Sequence, residues 1–288
     1  MKEGFPAGHF YSTIPCEKDV EYGIKSKNGE INKKELPGIK LNLENQLKFM
    51  KDISDEYKKV NIEFPINKTA DYLYYFENTA YSYSDALVLS AMINHLRPKK
   101  IIEIGSGHSS CATLDTIRCI KKIDKQYNCE CTFIEPYPAL LNNLLKNNLL
   151  ANNLSYNIID KCLQEVDLNT FKQLEKNDIL FVDSTHVSKT GSDVNYIIHQ
   201  ILPHLNPGVF IHFHDIFWPF EYPEGWIINN GWYWNELYML RSFLQYNINF
   251  QIASFSTYLW HHSHSQMSKY FPLGIRNPGG AIWLQKLF

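Results

Sequence analysis

Two short stretches, Asp183-Ser184-Thr185-His186 and His212-Phe213-His214-Asp215, bring carboxylates and imidazoles close together in the sequence. An imidazole titrates near neutrality, so it can take a proton from an attacking group, and a carboxylate beside it can orient it. On that reading His214 or His186 is a general base held by Asp183 or Asp215. The same residue types can hold a divalent cation that lowers the pKa of a bound hydroxyl, with Asp183, His214 and Asp215 as ligands. A histidine ligand suits Mn, Fe or Zn better than Mg, which prefers oxygen. A third reading has the histidines bonding to backbone and shaping strand ends. By two-residue alternation His212 and His214 share one face of a strand.

A second group lies earlier, in Glu103-Ile104-Gly105-Ser106-Gly107-His108-Ser109-Ser110. Glycines in such a strand-to-helix turn let the backbone pass close to a ligand. The third glycine of a dinucleotide-binding turn is missing, since Ser110 stands in its place. A pyrophosphate needs that pattern, and a ligand without phosphates does not. Glu103 suits a cationic ligand, and Glu135, before Pro136, can accept two ribose hydroxyls. Ribose plus positive charge points to S-adenosylmethionine rather than to a nicotinamide dinucleotide. The residues around it are Glu103, Gly105, Ser106, Gly107, Ser109, Ser110, Glu135 and Pro136.

Positioning these groups takes an alternation of strands and helices. Apolar strand-like runs occupy Lys100–Ile104, Cys131–Glu135, Tyr156–Ile159, Asp178–Asp183, Gly208–His214, Phe250–Phe255 and Ala281–Gln285. Helical periodicity fills Ser110–Ile123, Ala139–Asn148, Leu168–Leu174, Ser192–Leu205 and Asn235–Gln245. Continuous apolar strands separated by helices predict a parallel sheet covered on both faces. No long helix is evident between the last two strands, which predicts a hairpin-like antiparallel end. Ser84 is placed to cap a further helix that runs through Leu87, Val88, Ala91 and Met92 toward His95. Residues 1–80 read as an N-terminal extension with one amphipathic helix, Leu41 to Lys59, and residues 81–288 as the main domain.

Several stretches together resemble the class I S-adenosylmethionine-dependent methyltransferases, and more narrowly the methyltransferase domain 24 family. They are residues 102–110, Phe133-Ile134-Glu135-Pro136-Tyr137-Pro138, residues 178–186, Gly191-Ser192-Asp193-Val194-Asn195, His212-Phe213-His214-Asp215-Ile216-Phe217 and Trp234-Asn235-Glu236-Leu237-Tyr238. The resemblance implies a Rossmann-like, seven-stranded, mostly parallel sheet with an antiparallel last strand. It implies the methyl donor over the first three strands, with Asp183 and Asp215 converging beside it from adjacent strands four and five. Asp183 thus joins the expected donor contacts. Catechol-type O-methyltransferases also place carboxylates after those strands, but usually with an Asp-Asn pair where this chain has Asp215-Ile216.

Four of the six tryptophans fall in residues 217–234, where Pro and Gly interrupt regular structure. That segment is expected to wall or cover an acceptor pocket, with Trp218, Tyr222 and Trp234 as contacts, or to pack as core beneath a long loop. His9 and Tyr11 in Gly8-His9-Phe10-Tyr11-Ser12 are expected to fold over the pocket as a lid. His261-His262-Ser263-His264 reads as a solvated loop or a substrate contact, because no acidic partner stands at ligand spacing. Six scattered cysteines read as reduced thiols. With 28 basic against 30 acidic residues the chain shows no nucleic-acid or anionic-membrane footprint. No secretory signal and no membrane-spanning run are read, so a cytoplasmic enzyme is expected. No serine-nucleophile elbow and no P-loop occur. Methyl transfer to a small acceptor follows, more readily to oxygen than nitrogen, with sugars, nucleotide-sugars and secondary metabolites as acceptor classes and homo-oligomerisation open. A nicotinamide-dependent oxidoreductase and a non-catalytic adenosine-ligand sensor are the alternatives.

Overall fold

The computed structural model describes residues 4–60, 62–146, 150–152 and 154–288. Strands β1 (Lys100–Ile104), β2 (Glu130–Ile134), β3 (Tyr156–Ile159), β4 (Ile179–Val182), β5 (Phe210–Phe213), β6 (Phe250–Phe255) and β7 (Ile282–Lys286) form one sheet. Its order is β3-β2-β1-β4-β5-β7-β6. The first five strands pair in parallel, and β7 runs antiparallel to both β5 and β6. Every residue of β4 and β5 is buried, as strands covered on both faces must be. All seven strands lie within a residue or two of the runs read from the sequence, and the reversed last strand is as expected.

The helices are α1 (Glu17–Glu30), α2 (Leu43–Tyr57), α3 (Tyr83–Leu96), α4 (His108–Ile123), α5 (Ala139–Leu145), α6 (Asn169–Lys172), α7 (Asp193–Tyr196), α8 (Leu202–His204), α9 (Glu224–Ile228), α10 (Glu236–Leu244), α11 (Ser256–His262) and α12 (His264–Tyr270). A π-helical stretch, Ile197–Ile201, joins α7 to α8. The helix expected over 139–148 ends at Leu145, and positions 147 and 148 lie outside the described residues. The antiparallel pairing of β6 with β7 holds, but without a tight turn: α11, α12 and a 3-10 segment, Pro272–Arg276, lie between them. Ser84 is not the cap of α3. The helix begins at Tyr83, and the Ser84 hydroxyl is buried and accepts the Trp260 indole N–H at 3.1 Å.

The amphipathic pattern of α2 buries Gln46, Met50, Ile53 and Ser54. The core is continuous from Leu36, Ile39 and Leu41 through Tyr74 and Phe76 to the sheet. Gln46 ties the parts together, donating to the Leu41 carbonyl at 2.5 Å and accepting the Phe255 N–H at 2.8 Å. Helix α1, not foreseen because its apolar residues follow no helical stripe, buries none of its residues.

Candidate active site

The turn after β1 positions the first half of the site. Gly105 has φ of +83°, and a Cβ there would lie 1.9 Å from the Asp183 carbonyl oxygen. Glycine is therefore required by the contact between the ends of β1 and β4. Beyond it, Ser110 Oγ accepts the Gly107 N–H at 3.1 Å and closes the start of α4. Glu103 is fully buried and accepts the Ser109 hydroxyl at 2.5 Å through Oε1, while its Oε2 has no partner. Burial pushes its carboxyl up to about 8, against the Ser109 and Ser110 hydroxyls that lower it. Ser106 Oγ and His108 Nδ1 are also buried without partners. Three such polar atoms thus lie around this one turn. Glu135 follows β2, half-buried, with Oε1 accepting the Tyr137 N–H at 2.9 Å, and Pro136 beside it is likewise half-buried.

The second half gathers at the ends of β4 and β5, which neighbour each other as expected. His186 Nε2 lies 3.4 Å from Asp183 Oδ1 and 3.5 Å from Asp215 Oδ2, while Nδ1 lies 2.8 Å from Glu236 Oε2. Burial alone would lower the His186 pKa, but hydrogen bonds to Asp183 and Glu236 outweigh it and raise it to about 11. The imidazole thus holds its proton at neutral pH and is not a free base as it stands. One ligand atom each from Asp183, His186 and Asp215 lies within 4.8 Å of the others, a set able to hold a metal ion. His186 accordingly stands where the sequence reading put His214. The carboxylate of Glu236 on Nδ1 would leave Nε2 for the cation, the usual outer-shell arrangement of a histidine ligand.

His214 sits just outside this set, buried, with Nε2 3.6 Å from Asp215 Oδ1 and Nδ1 without a partner. Burial lowers its pKa, and the carboxylates of Asp215, Asp183 and Asp85 raise it further than burial lowers it. His212, on the same face of β5, stacks on Phe181 at 4.0 Å and is pushed well below its ordinary pKa, first by burial. Both His186 (φ +59°) and Asp215 (φ +57°) occupy the left-handed region, uncommon for such residues and frequent at functional sites. The His186 conformation is held by its carbonyl, which accepts the N–H groups of Asn235 and Glu236 at 3.1 and 3.0 Å.

Sequence reasoning missed Glu236 and Asp85. Glu236 opens α10, fifty residues after His186, and nothing local ties the two. Asp85 interrupts the apolar run of α3 and accepts the Gly280 N–H with both carboxylate oxygens at 3.2 Å. That lone acid in a buried helix was the available signal.

The aromatic segment splits between the two roles read for it. Trp234 lies 4.5 Å from the His186 ring and stacks on Trp232 at 4.9 Å and 11°. Trp218 is core instead: it is buried, donates to the Ile31 carbonyl at 2.7 Å and packs on Tyr258. Tyr222 is buried behind Trp226 and Trp234. His9 and Tyr11 cluster with Phe5 and Phe10, and Tyr11 is exposed. Their segment reaches the aromatic wall through Thr13 and Pro15 instead. The His261–His264 run is helical rather than a loop, ending α11 and starting α12, with His261 Nε2 3.2 Å from Asn32 Oδ1.

A family model described as a methyltransferase domain matches residues 102–216, from β1 to just past Asp215. An uncharacterized protein of Archaeoglobus fulgidus is 36% identical over 197 residues, covering 65% of this chain and 81% of its own length. The chain belongs to this family of S-adenosylmethionine-dependent methyltransferases. Among solved structures, a Plasmodium falciparum chain described as a protein-L-isoaspartate O-methyltransferase in complex with S-adenosyl-L-homocysteine is 15% identical, with 68% of this chain and 83% of that one covered at a TM-score of 0.33. A loganic acid methyltransferase with S-adenosyl-L-homocysteine is 10% identical, with 85% and 94% covered at the same score. Among the described residues no helix is long and apolar enough to cross a membrane.

Proposed function

We propose that the protein transfers the methyl group of S-adenosylmethionine to an oxygen of a small acceptor, at the junction of the β1 turn with the Asp183–His186–Asp215 cluster. The observation that carries this reading is the orphaned Glu103 Oε2, with the buried Ser106 Oγ, beside a cluster of converging carboxylates. A buried carboxyl with an unpartnered oxygen, which a neighbouring positive charge would ionise, favours the cationic methionyl end of the donor over a pyrophosphate. The Ser110 cap on the Gly107 N–H takes up a donor that a pyrophosphate would use, which counts against a nicotinamide dinucleotide.

In the reaction the acceptor oxygen attacks the sulfonium methyl in line, the sulfur–methyl bond breaks as the oxygen–methyl bond forms, and the acceptor loses one proton. The residues' work is to hold the two reactants in line and to receive that proton. Asp183, His186 and Asp215 would hold a divalent cation, which when bound would supply positive charge that lowers the pKa of an acceptor hydroxyl. Glu236 keeps the Nδ1 proton of His186 so that Nε2 faces Asp183 and Asp215, and Trp234 covers the imidazole face from water. His214, outside the ligand set but facing Asp215, is the group placed to pass the released proton on.

The test is calorimetric titration of metal-stripped protein with S-adenosylhomocysteine, followed by turnover with candidate acceptors. Saturable one-to-one binding that survives Asp183→Asn and Asp215→Asn within a few-fold, with turnover lost in both variants, is expected. Absence of binding with and without Mn or Mg would overturn the donor site. Turnover unchanged by chelator would remove the metal and leave His214 as the base.

A further inference from the structure

His186 stands in a stretch that has no regular structure to hold it. Residues 183–189 form neither helix nor strand, and His186 itself takes the left-handed backbone region at φ +59°. A residue with a β-carbon stays there only when its surroundings fix it from several sides. The backbone groups of such a stretch need partners beyond it, and several find them in one dipeptide, Asn235-Glu236, at the start of α10. The His186 carbonyl accepts the N–H groups of both residues, at 3.1 and 3.0 Å. Two residues on, the Ser188 N–H donates to Asn235 Oδ1 at 2.6 Å, and the Ser188 carbonyl accepts an N–H of Asn235 Nδ2 at 3.2 Å. One side-chain amide thus takes both main-chain polar groups of Ser188.

The place of Asn235 in its own helix makes this use informative. It is the residue immediately before the first turn of α10, where an asparagine ordinarily turns its oxygen onto the N–H groups of that turn. Here its side chain makes no such bond. The helix forgoes its cap, and the amide serves the His186 stretch instead. The flanking residues hold the ring: Glu236 Oε2 lies 2.8 Å from Nδ1, and the Trp234 ring lies 4.5 Å from the imidazole. From the opposite end of the stretch, the Thr185 N–H and hydroxyl donate to Asp193 Oδ2 and Oδ1 at 3.0 and 2.6 Å.

We propose that Asn235 is the positioning residue of the cluster: through the Ser188 main chain it fixes the left-handed turn at His186 that keeps Nε2 facing Asp183 and Asp215. Asn235 is no member of the ligand set, and its effect passes through the backbone. An amide is the group required, because the Ser188 main chain presents one donor and one acceptor. A carboxylate lacks the donor, and a serine hydroxyl is too short to span both. What the cluster is used for rests on the methyltransferase reading; the placement of the imidazole is a property of the protein by itself.

The experiment compares Asn235→Ser and Asn235→Ala with the unaltered full-length protein, all stripped of metal. Serine caps a helix about as well as asparagine does but cannot make both bonds to Ser188, so it separates support of α10 from placement of His186. The readout is the proton magnetic resonance signal of the His186 Nδ1–H held on Glu236, in protein carrying isotope-labelled histidine and identified by its loss in His186→Asn. In the unaltered protein that proton is expected to exchange slowly with water, and in both variants at least tenfold faster. Mn affinity, read from the electron spin resonance of the free ion, is expected to fall at least fivefold in both. Affinity for S-adenosylhomocysteine, unchanged within twofold, is the folding control. Exchange as slow in Asn235→Ser as in the unaltered protein would show that Asn235 only supports its helix and would overturn the proposal. So would the lack of any protected signal in the unaltered protein. Failure of the unaltered protein to bind Mn would instead overturn the cation, and failure to bind S-adenosylhomocysteine the donor site; in both cases the exchange rates still decide the role of Asn235.

Discussion

Glu103 shows what a single buried carboxyl does to this protein. Its pKa of about 8, set chiefly by burial, lies above the 4.5 of an exposed glutamate. Between those values the folded chain keeps a proton that the unfolded chain has released. Its contribution therefore favours folding below about pH 4.5 and is lost as pH rises through 8, with a slope approaching about 1.4 kcal/mol per pH unit. Glu103→Gln, which keeps the shape and removes the titration, should melt above the unaltered protein at pH 8.5 and lose most of that advantage at pH 5.5. Thermal melts at the two pH values check it, and an equal offset at both would show that Glu103 does not titrate in this range. The sequence disclosed the position and the acid; the depth of burial, which sets the chemistry, depends on α4 closing over the strand end. The same limit hid Glu236, whose role exists only because α10 starts against the His186 carbonyl.

At the level of elements, apolar runs located all seven strands, and β4 and β5 in particular read as unbroken runs because they are buried on both faces. The turns were less legible, since a glycine in the sequence does not say which neighbour it makes room for. Gly105 and Gly107 look alike as letters, yet the structure separates them. A methyl at Gly105 would strike the Asp183 carbonyl at 1.9 Å from a left-handed backbone, whereas at Gly107 it would meet only the flexible Leu140 Cδ2 at 3.3 Å. Gly105→Ala should therefore cost at least about 3 kcal/mol, through strain and displacement of β4. Gly107→Ala should cost under about 1 kcal/mol. Urea denaturation of the two variants measures both, and comparable losses would mean that the β1–β4 contact relaxes around an added methyl. Because Asp183 rides on that contact, Gly105→Ala should also disturb the carboxylate cluster.

For the molecule as a whole, the contrast in composition near residue 80 reads as a boundary, but burial follows a different line. Residues from Leu36 onward bury side chains in the same core as the sheet, and Gln46 in α2 satisfies a backbone N–H at the end of β6. The part that composition could not reveal as separable is α1, with no buried residue and a polar attachment. Two truncations distinguish these lines. Removing residues 1–30 forfeits the Glu30–Arg241 pair and the Lys27 bond, each worth at most about 1 kcal/mol at a partly exposed site. It keeps Ile31 for Trp218, so the melting temperature should fall by only about 2–8 °C. Removing residues 1–59 strips Met50 and Ile53 from the core, each worth roughly 2–5 kcal/mol, and leaves the Phe255 N–H buried without Gln46. That sum exceeds the net stability of most domains, so the shorter chain should be insoluble or unfolded by circular dichroism. A cooperative melt for it would place the true boundary near residue 80, and collapse of the 31–288 chain would make α1 part of the fold.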